Sequence, residues 1–285
     1  MFGYHVSIEK KSYTKSIQNA HNTSNINAIQ IFLASPLQIK IIEHSEDDVL
    51  ACKKYVNENN IFLISHASYL LNSANKDKWE HKINVAISDL IYAEKIGAIG
   101  SVFHVGKHLT KTVKEGTKYM FEFISTVIEK LQERNSKSIY ILETPAACGT
   151  ELLSDIESFG KFYHSFSKKQ QTNLKVCIDT CHVFSAGYSL KSKNDSMIFI
   201  KLIENHIGWN NIAVIHLNDS KKDCGCHVDR HENLCYGCIG QNDQSGLEYF
   251  VKFCFDKNIP LIMETPDEFD KYHNKELIQI RKWIQ

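Results

Sequence analysis

Residues Lys175–His182 read Lys-Val-Cys-Ile-Asp-Thr-Cys-His (KVCIDTCH), a short apolar run that stops on an aspartate and meets a histidine three residues later. The layout recurs along the chain. Ile61–Ala67 (IFLISHA), Ser101–Gly106 (SVFHVG), Ile139–Thr144 (IYILET), Ile212–Asp219 (IAVIHLND) and Pro260–Thr265 (PLIMET) each carry His or Glu late in an apolar run. Continuous rather than alternating apolar runs suit parallel strands buried on both faces. With two further runs at the N-terminus, the expected strands are Phe2–Ser7, Ala28–Leu33, Ile61–Ala67, Val102–Val105, Ile139–Glu143, Lys175–Asp179, Ile212–Leu217 and Leu261–Glu264.

Between the runs, apolar residues recur three and four apart, the spacing of one helix face. Trp79, Ile83, Ile87, Leu90, Ile91 and Ile96 form one such stripe; Met120, Phe123, Ile124, Val127, Ile128 and Leu131 form another; Leu247, Phe250, Val251 and Cys254 form a third. Eight strand–helix units predict a single α/β domain over residues 1–285, a (β/α)8 TIM barrel. An open, doubly wound sheet is the alternative. The segment from Asn218 to Ser245 breaks the rhythm: it reads as a long functional loop, too polar and too rich in Cys and Gly for core.

Composition narrows the class. Hydrophobic residues at 43% allow a sizeable core, and Lys+Arg and Asp+Glu both number 33, which excludes an indiscriminate basic nucleic-acid binder. Any phosphate recognition must be local. No apolar run is long enough to span a bilayer, and the first residues lack a signal-peptide layout. Nine scattered cysteines fit an intracellular protein better than a secreted disulfide scaffold.

The strand-end residues carry the chemistry. In a parallel barrel the strand C-termini open on one face, so His66, His104, Glu143, Asp179, His182, His216 and Glu264 are expected there, joined by Asp229 and His231 from the long loop. Five imidazoles and four carboxylates with no lysine among them are costly to gather unless metal ions neutralise the carboxylates. Imidazole nitrogen with carboxylate oxygen suits Zn2+, with Mn2+ or Fe2+ as substitutes. Nine ligands exceed what one zinc takes, so two or three ions are implied. Paired divalent ions are a standard means of phosphodiester hydrolysis.

Three segments, Val176–Tyr188 (VCIDTCHVFSAGY), Ile215–Lys221 (IHLNDSK) and Val228–Leu234 (VDRHENL), resemble the endonuclease IV family. Tyr4–Ser7 (YHVS), His66–Leu70 (HASYL), Phe103–Gly106 (FHVG), Leu142–Thr144 (LET) and Ile262–Thr265 (IMET) fit it in the same order. The resemblance implies a zinc-dependent apurinic/apyrimidinic (AP) endonuclease of DNA base-excision repair. Such an enzyme cleaves 5′ to an abasic site in double-stranded DNA, leaving a 3′-hydroxyl and a 5′-deoxyribose phosphate, and also repairs blocked 3′ ends. It implies a monomer, a trinuclear zinc–hydroxide mechanism and an intracellular location.

By position, the resemblance assigns His66, His104 and Glu143 to a first ion. Asp179, His216 and Glu264, with a bridging Glu143, go to a second, and His182, Asp229 and His231 to a third. Glu143, Asp179 and Glu264 are the expected catalytic carboxylates. Tyr69 matches the aromatic that enters DNA at the lesion, and Arg230 stands where it can pair with a phosphate. Lys107, with Lys111, Lys114, Lys221 and Lys222, can supply a local positive rim.

Two departures from the family pattern stand out. The loop Ala34–Ile39 lacks the Asn, Arg and Trp usual there, leaving Leu37 as a candidate apolar wedge beside a retained Gln38. The second is Cys224-Gly-Cys226 and Cys235-Tyr-Gly-Cys238, whose four thiols can hold a structural zinc, form disulfides or stay free. A sugar isomerase or epimerase of the same barrel type, and a non-catalytic binder of damaged DNA, are the rival functions. Neither rival accounts for the ligand set: isomerases do not need the loop pair Asp229 and His231, and a binder does not need all nine.

Overall fold

A strand covered on both faces must be apolar along its whole length. The computed structural model describes residues 1–9, 12–40, 45–268 and 270–285, and among these ten segments meet that condition or pair beside it. In chain order the strands are β1 (Phe2–Val6), β2 (Ala28–Phe32), β3 (Phe62–His66), β4 (Gly100–Phe103), β5 (Ile139–Glu143), β6 (Leu174–Asp179), β7 (Ile212–His216), β8 (Asp219–Ser220), β9 (His231–Glu232) and β10 (Leu261–Met263). The order β1-β10-β7-β6-β5-β4-β3-β2 closes into a barrel, which sets aside the open sheet. The eight staves fall on the eight expected runs with ends shifted by up to two residues. Among the described residues, no helix is long and apolar enough to cross a membrane.

The chain divides into two compact halves. One comprises residues 5–143 and 166–175. Here β2 pairs β3 in parallel from Ala28↔Phe62 to Phe32↔His66, β3 pairs β4 at His66↔Val102, and β4 pairs β5 from Gly100↔Ile139 to Phe103↔Leu142. Gly100 is required at that start, because a Cβ would run into the Ile139 carbonyl. The longest helix, Val113–Glu133, begins with a capping box: Thr112 Oγ1 accepts the Glu115 N–H while Glu115 Oε2 accepts the Thr112 N–H. Its stripe Met120, Phe123, Ile124, Val127, Ile128 and Leu131 is fully buried, each side chain contributing on the order of 2 kcal/mol relative to exposure.

The other half comprises residues 1–4, 144–165 and 176–285. Within it β6 pairs β7 through Asp179↔His216, and β7 pairs β10 through Ile262↔His216. These registers bring the strand ends of β6, β7 and β10 side by side. The long loop departs from expectation. It contains an antiparallel hairpin, β8 with β9 (Asp219↔Glu232, Ser220↔His231), and it buries Leu234 and Ile239 in core-like fashion.

Candidate metal centre

In the first half, His66 closes β3, Glu143 closes β5, and His104 stands one residue beyond β4. His104 Nε2 lies 3.0 Å and His66 Nε2 3.5 Å from Glu143 Oε2. The ligand atoms of the three lie within 4.8 Å of one another. His66 and Glu143 are buried, whereas the His104 side chain is 30% exposed and opens the set to solvent. His66 Nδ1 donates to the Ala67 carbonyl at 2.7 Å. A carbonyl only accepts, so the proton is fixed on Nδ1 and the Nε2 lone pair is left toward the carboxylate, the arrangement of a metal-ligating histidine.

Tyr69 stands over this set, its ring 5.3 Å from both the His66 and the His104 rings, and it is 49% exposed. The neighbouring loop is tied to it: the Pro36 carbonyl accepts the Tyr69 N–H at 3.0 Å and the Ser68 hydroxyl at 2.8 Å. Leu37 next to that anchor is 67% exposed, and Gln38 is exposed too. Lys107 is exposed, with its backbone held by the Asn72 side chain at 3.0 and 2.8 Å. Lys111 and Lys114 are exposed as well.

In the second half, Asp179 closes β6 and caps the helix Thr180–Ser185, Oδ1 accepting the His182 N–H at 2.9 Å. That capping turns the His182 ring away from Asp179, and its Nε2 meets Asp229 Oδ2 at 3.3 Å. Asp229 Oδ1 meets His231 Nε2 at 3.2 Å, so one carboxylate spans both imidazoles. His182 Nδ1 donates to the Thr144 carbonyl at 2.8 Å, and His231 Nδ1 to the Glu264 carbonyl at 3.2 Å. The tautomer argument made for His66 applies to both. Beside this set, His216 Nδ1 lies 3.1 Å from Glu264 Oε2 and 3.8 Å from Asp179 Oδ2, and the three ligand atoms fall within 4.8 Å of one another.

Electrostatics match the geometry. Burial opposes a charge on His231, yet Asp179, Asp229 and Glu264 raise its pKa to about 9. Burial opposes a charge on Asp229 too, and hydrogen bonds from His182 and His231 carry it well below the usual carboxylate range. The His231–Asp229 contact enters both shifts, with Asp179 and Glu264 adding to the first and His182 to the second. Without an ion, a proton offsets the carboxylate charge; metal binding displaces that proton. Cys181 Sγ lies within 4.8 Å of the Asp179 and His231 ligand atoms, but burial and the Asp179 charge push its thiol up to about 12. Without an ion it stays protonated at neutral pH, so sulfur would bind only by giving up that proton.

Arg230 is exposed and donates from Nη1 to the Asp229 carbonyl at 2.8 Å. Lys221 and Lys222 are exposed beside it in sequence. Of the three readings open for Cys224, Cys226, Cys235 and Cys238, no disulfide is formed: all four are free thiols. Among the described residues, no group of three or more candidate ligands includes any of them. Gly225 and His227 donate to the Phe184 and Ser185 carbonyls, Cys235 N–H points at Asp219, and Cys238 N–H donates to the Ser220 carbonyl.

Sequence reading missed the groups that hold the ligands. Asn218 Nδ2 donates to Asp179 Oδ2 at 2.7 Å, and Asn218 Oδ1 accepts the Glu264 N–H at 2.8 Å. Buried Asp219 accepts four backbone N–H groups, from Ser220, Cys235, Ile239 and Gly240. Burial raises its pKa and those amides draw it back. Buried Glu276 accepts from Asn233 Nδ2, Leu234 N–H, Thr265 Oγ1 and His273 Nδ1, at 2.8–3.0 Å. The available signal was Asn218-Asp219 just past His216-Leu217, two polar residues at a strand end where burial is the rule.

A parallel barrel with imidazoles and carboxylates clustered at strand ends defines the class, and the family model for the xylose isomerase-like TIM barrel matches residues 18–284. A "Probable endonuclease 4" of Staphylococcus carnosus is 33% identical over 284 residues, 96% of this chain and 90% of the relative. Another, of Petrotoga mobilis, is 31% identical over 285 residues, covering 98% and 96%. Crystalline endonuclease IV from Thermus thermophilus shares the fold with a TM-score of 0.82 at 24% identity, over 99% of this chain and 98% of that one. The chain belongs to the endonuclease IV family.

Proposed function

We propose that this protein is an AP endonuclease that cleaves duplex DNA 5′ to an abasic site, leaving a 3′-hydroxyl and a 5′-deoxyribose phosphate, and that it also repairs blocked 3′ ends. The observation that carries the proposal is the loop-borne pair Asp229 and His231, completed by His182, standing beside the complete set Asp179, His216 and Glu264. A sugar isomerase of this barrel type has no need of that loop pair.

The residues fit divalent ions. Three histidines have their protons committed to carbonyls, and the carboxylates of the site face imidazole nitrogens. His66, His104 and Glu143 would hold one ion, Asp179, His216 and Glu264 a second, and His182, Asp229 and His231 a third; Glu143 is taken as the ligand shared by the first two on the family resemblance. Zinc suits this donor set, with Mn2+ or Fe2+ as substitutes. Bound divalent ions supply the positive charge that activates water and offsets the phosphate charge.

The chain's own groups do the rest. Nδ1-to-carbonyl bonds keep the imidazoles in one tautomer, and the Asp179 cap and the Asn218 amide fix that carboxylate before substrate arrives. An abasic nucleotide has neither stacking nor pairing to lose, so turning it out of the duplex is less costly than for an intact one. Tyr69 offers an exposed ring above His66 and His104 for stacking at the gap, with Leu37 and Gln38 on the loop tethered to it. Arg230 and Lys107, both exposed, would make the phosphate contacts.

The test is incubation of the protein with a duplex oligonucleotide carrying one tetrahydrofuran abasic analogue, with the product ends mapped. A single cut 5′ to the analogue, a 3′-hydroxyl product and loss of cutting after prolonged chelation support the proposal. Intact duplex after incubation with metal-replete protein refutes it.

A further inference from the structure

We infer that Asn218 is a positioning residue that sets the spacing of two metal-ligating carboxylates, Asp179 and Glu264, across strands; this rests on the metal-site reading above. Asn218 is fully buried, two residues past His216. Its orientation is unambiguous, because Oδ1 meets the Glu264 backbone N–H, which can only donate, at 2.8 Å. The amide NH2 therefore faces Asp179 Oδ2, an acceptor, at 2.7 Å. One side chain thus grips the end of β6 and the residue after β10 from the end of β7.

Asn218 is itself clamped. Its N–H donates to Thr180 Oγ1 at 2.8 Å, and the Thr180 hydroxyl donates to the Asn218 carbonyl at 2.6 Å. Neither end of the amide can swing without leaving a buried polar group unmet. The other Asp179 oxygen is held by the His182 N–H, so both oxygens have one hydrogen bond each and keep lone pairs for an ion. Asparagine supplies a donor and an acceptor at this reach; aspartate lacks the donor, and leucine lacks both.

The test uses full-length Asn218→Ala and Thr180→Val chains beside wild type, each purified metal-replete. Zinc per chain and zinc release to a chromophoric chelator are read together with the Tm of the chelator-stripped proteins. Asn218→Ala is expected to release one zinc at least tenfold faster, in line with the ~10–100-fold effects of groups that orient metal ligands. The stripped Tm should fall by too little to explain that, and Thr180→Val should lie in between. An Asn218→Ala chain that holds all its zinc with wild-type kinetics overturns the inference, as does zinc loss merely proportional to lost stability. If Asn218→Ala does not fold, a folded Thr180→Val chain with wild-type zinc release overturns it. A wild-type chain that binds no zinc removes the metal-site reading, and the inference falls with it.

Discussion

Replacing Asp219 with asparagine changes one atom of the carboxylate into an amide nitrogen and is expected to unlatch the loop that carries Asp229 and His231. Asp219 Oδ1 accepts the Ser220 N–H at 2.7 Å and the Ile239 N–H at 2.8 Å; Oδ2 accepts the Cys235 and Gly240 N–H groups, both at 3.1 Å. The packing is close enough that a Cβ on Gly237 would sit 2.5 Å from Oδ1. Whichever way the substituted amide turned, its NH2 would face two N–H donors. Two buried amides would lose their acceptor at roughly 1–3 kcal/mol each, a total of about 4 kcal/mol. That is a large part of the ~5–15 kcal/mol that stabilises a typical domain. Because the hairpin pairs Asp219 with Glu232 and Ser220 with His231, the loss propagates to the third ligand set first. Urea unfolding followed by circular dichroism, with zinc per chain measured on the same samples, reads both effects. Asp219→Asn should unfold at clearly lower urea and hold less zinc. A change under about 1 kcal/mol with full zinc would refute the latch.

Other perturbations separate the parts of the site. In chelator-stripped protein, His231 has its pKa raised from 6.5 to about 9, so its stabilising contribution is whole below pH 6.5 and is lost as pH rises through 9. The expected fall is on the order of 2–3 kcal/mol, counted once for His231 with Asp179, Asp229 and Glu264 together, and unfolding midpoints that stay level or rise from pH 6.5 to 9 would contradict it. Asp229→Asn should remove the carboxylate that spans His182 and His231, lowering incision at least ~hundredfold and zinc per chain by one. Tyr69→Ala should weaken binding of abasic duplex ~10–100-fold in fluorescence anisotropy while leaving the Tm within a degree or two, as expected for loss of one stacking platform. Cys224→Ser with Cys226→Ser should leave zinc per chain unchanged, since among the described residues neither thiol joins a group of candidate ligands; a lower ratio would support an extra metal at these thiols.

What the sequence made legible follows from physics that acts locally. Parallel staves are apolar throughout, so IYILE and VCID announce themselves, and a ligand at a strand end is fixed by chain position. Strand boundaries were less legible. β4 spans Gly100–Phe103 rather than Val102–Val105, leaving His104 outside the strand, and its pairing begins at Gly100, where only a glycine fits. The loop after β7 was misread in one respect. Its polar composition hid Leu234 and Ile239, which are buried because Asp219 and Glu276 satisfy the loop's amides from within. The roles of Asn218, Asp219 and Glu276 depend on partners up to 46 residues away in sequence, and no periodicity reports such pairings. The cysteine spacing left zinc, disulfide and free-thiol readings open, because spacing does not state where thiols point.

The central claim is that nine side chains hold three ions. Native mass spectrometry of protein purified without chelator and dialysed free of loose metal weighs it directly. The account predicts a mass increase of three zinc ions on the folded chain, falling by one in Asp229→Asn. A folded wild-type chain that carries no metal, or a single ion unaffected by Asp229→Asn, would contradict it.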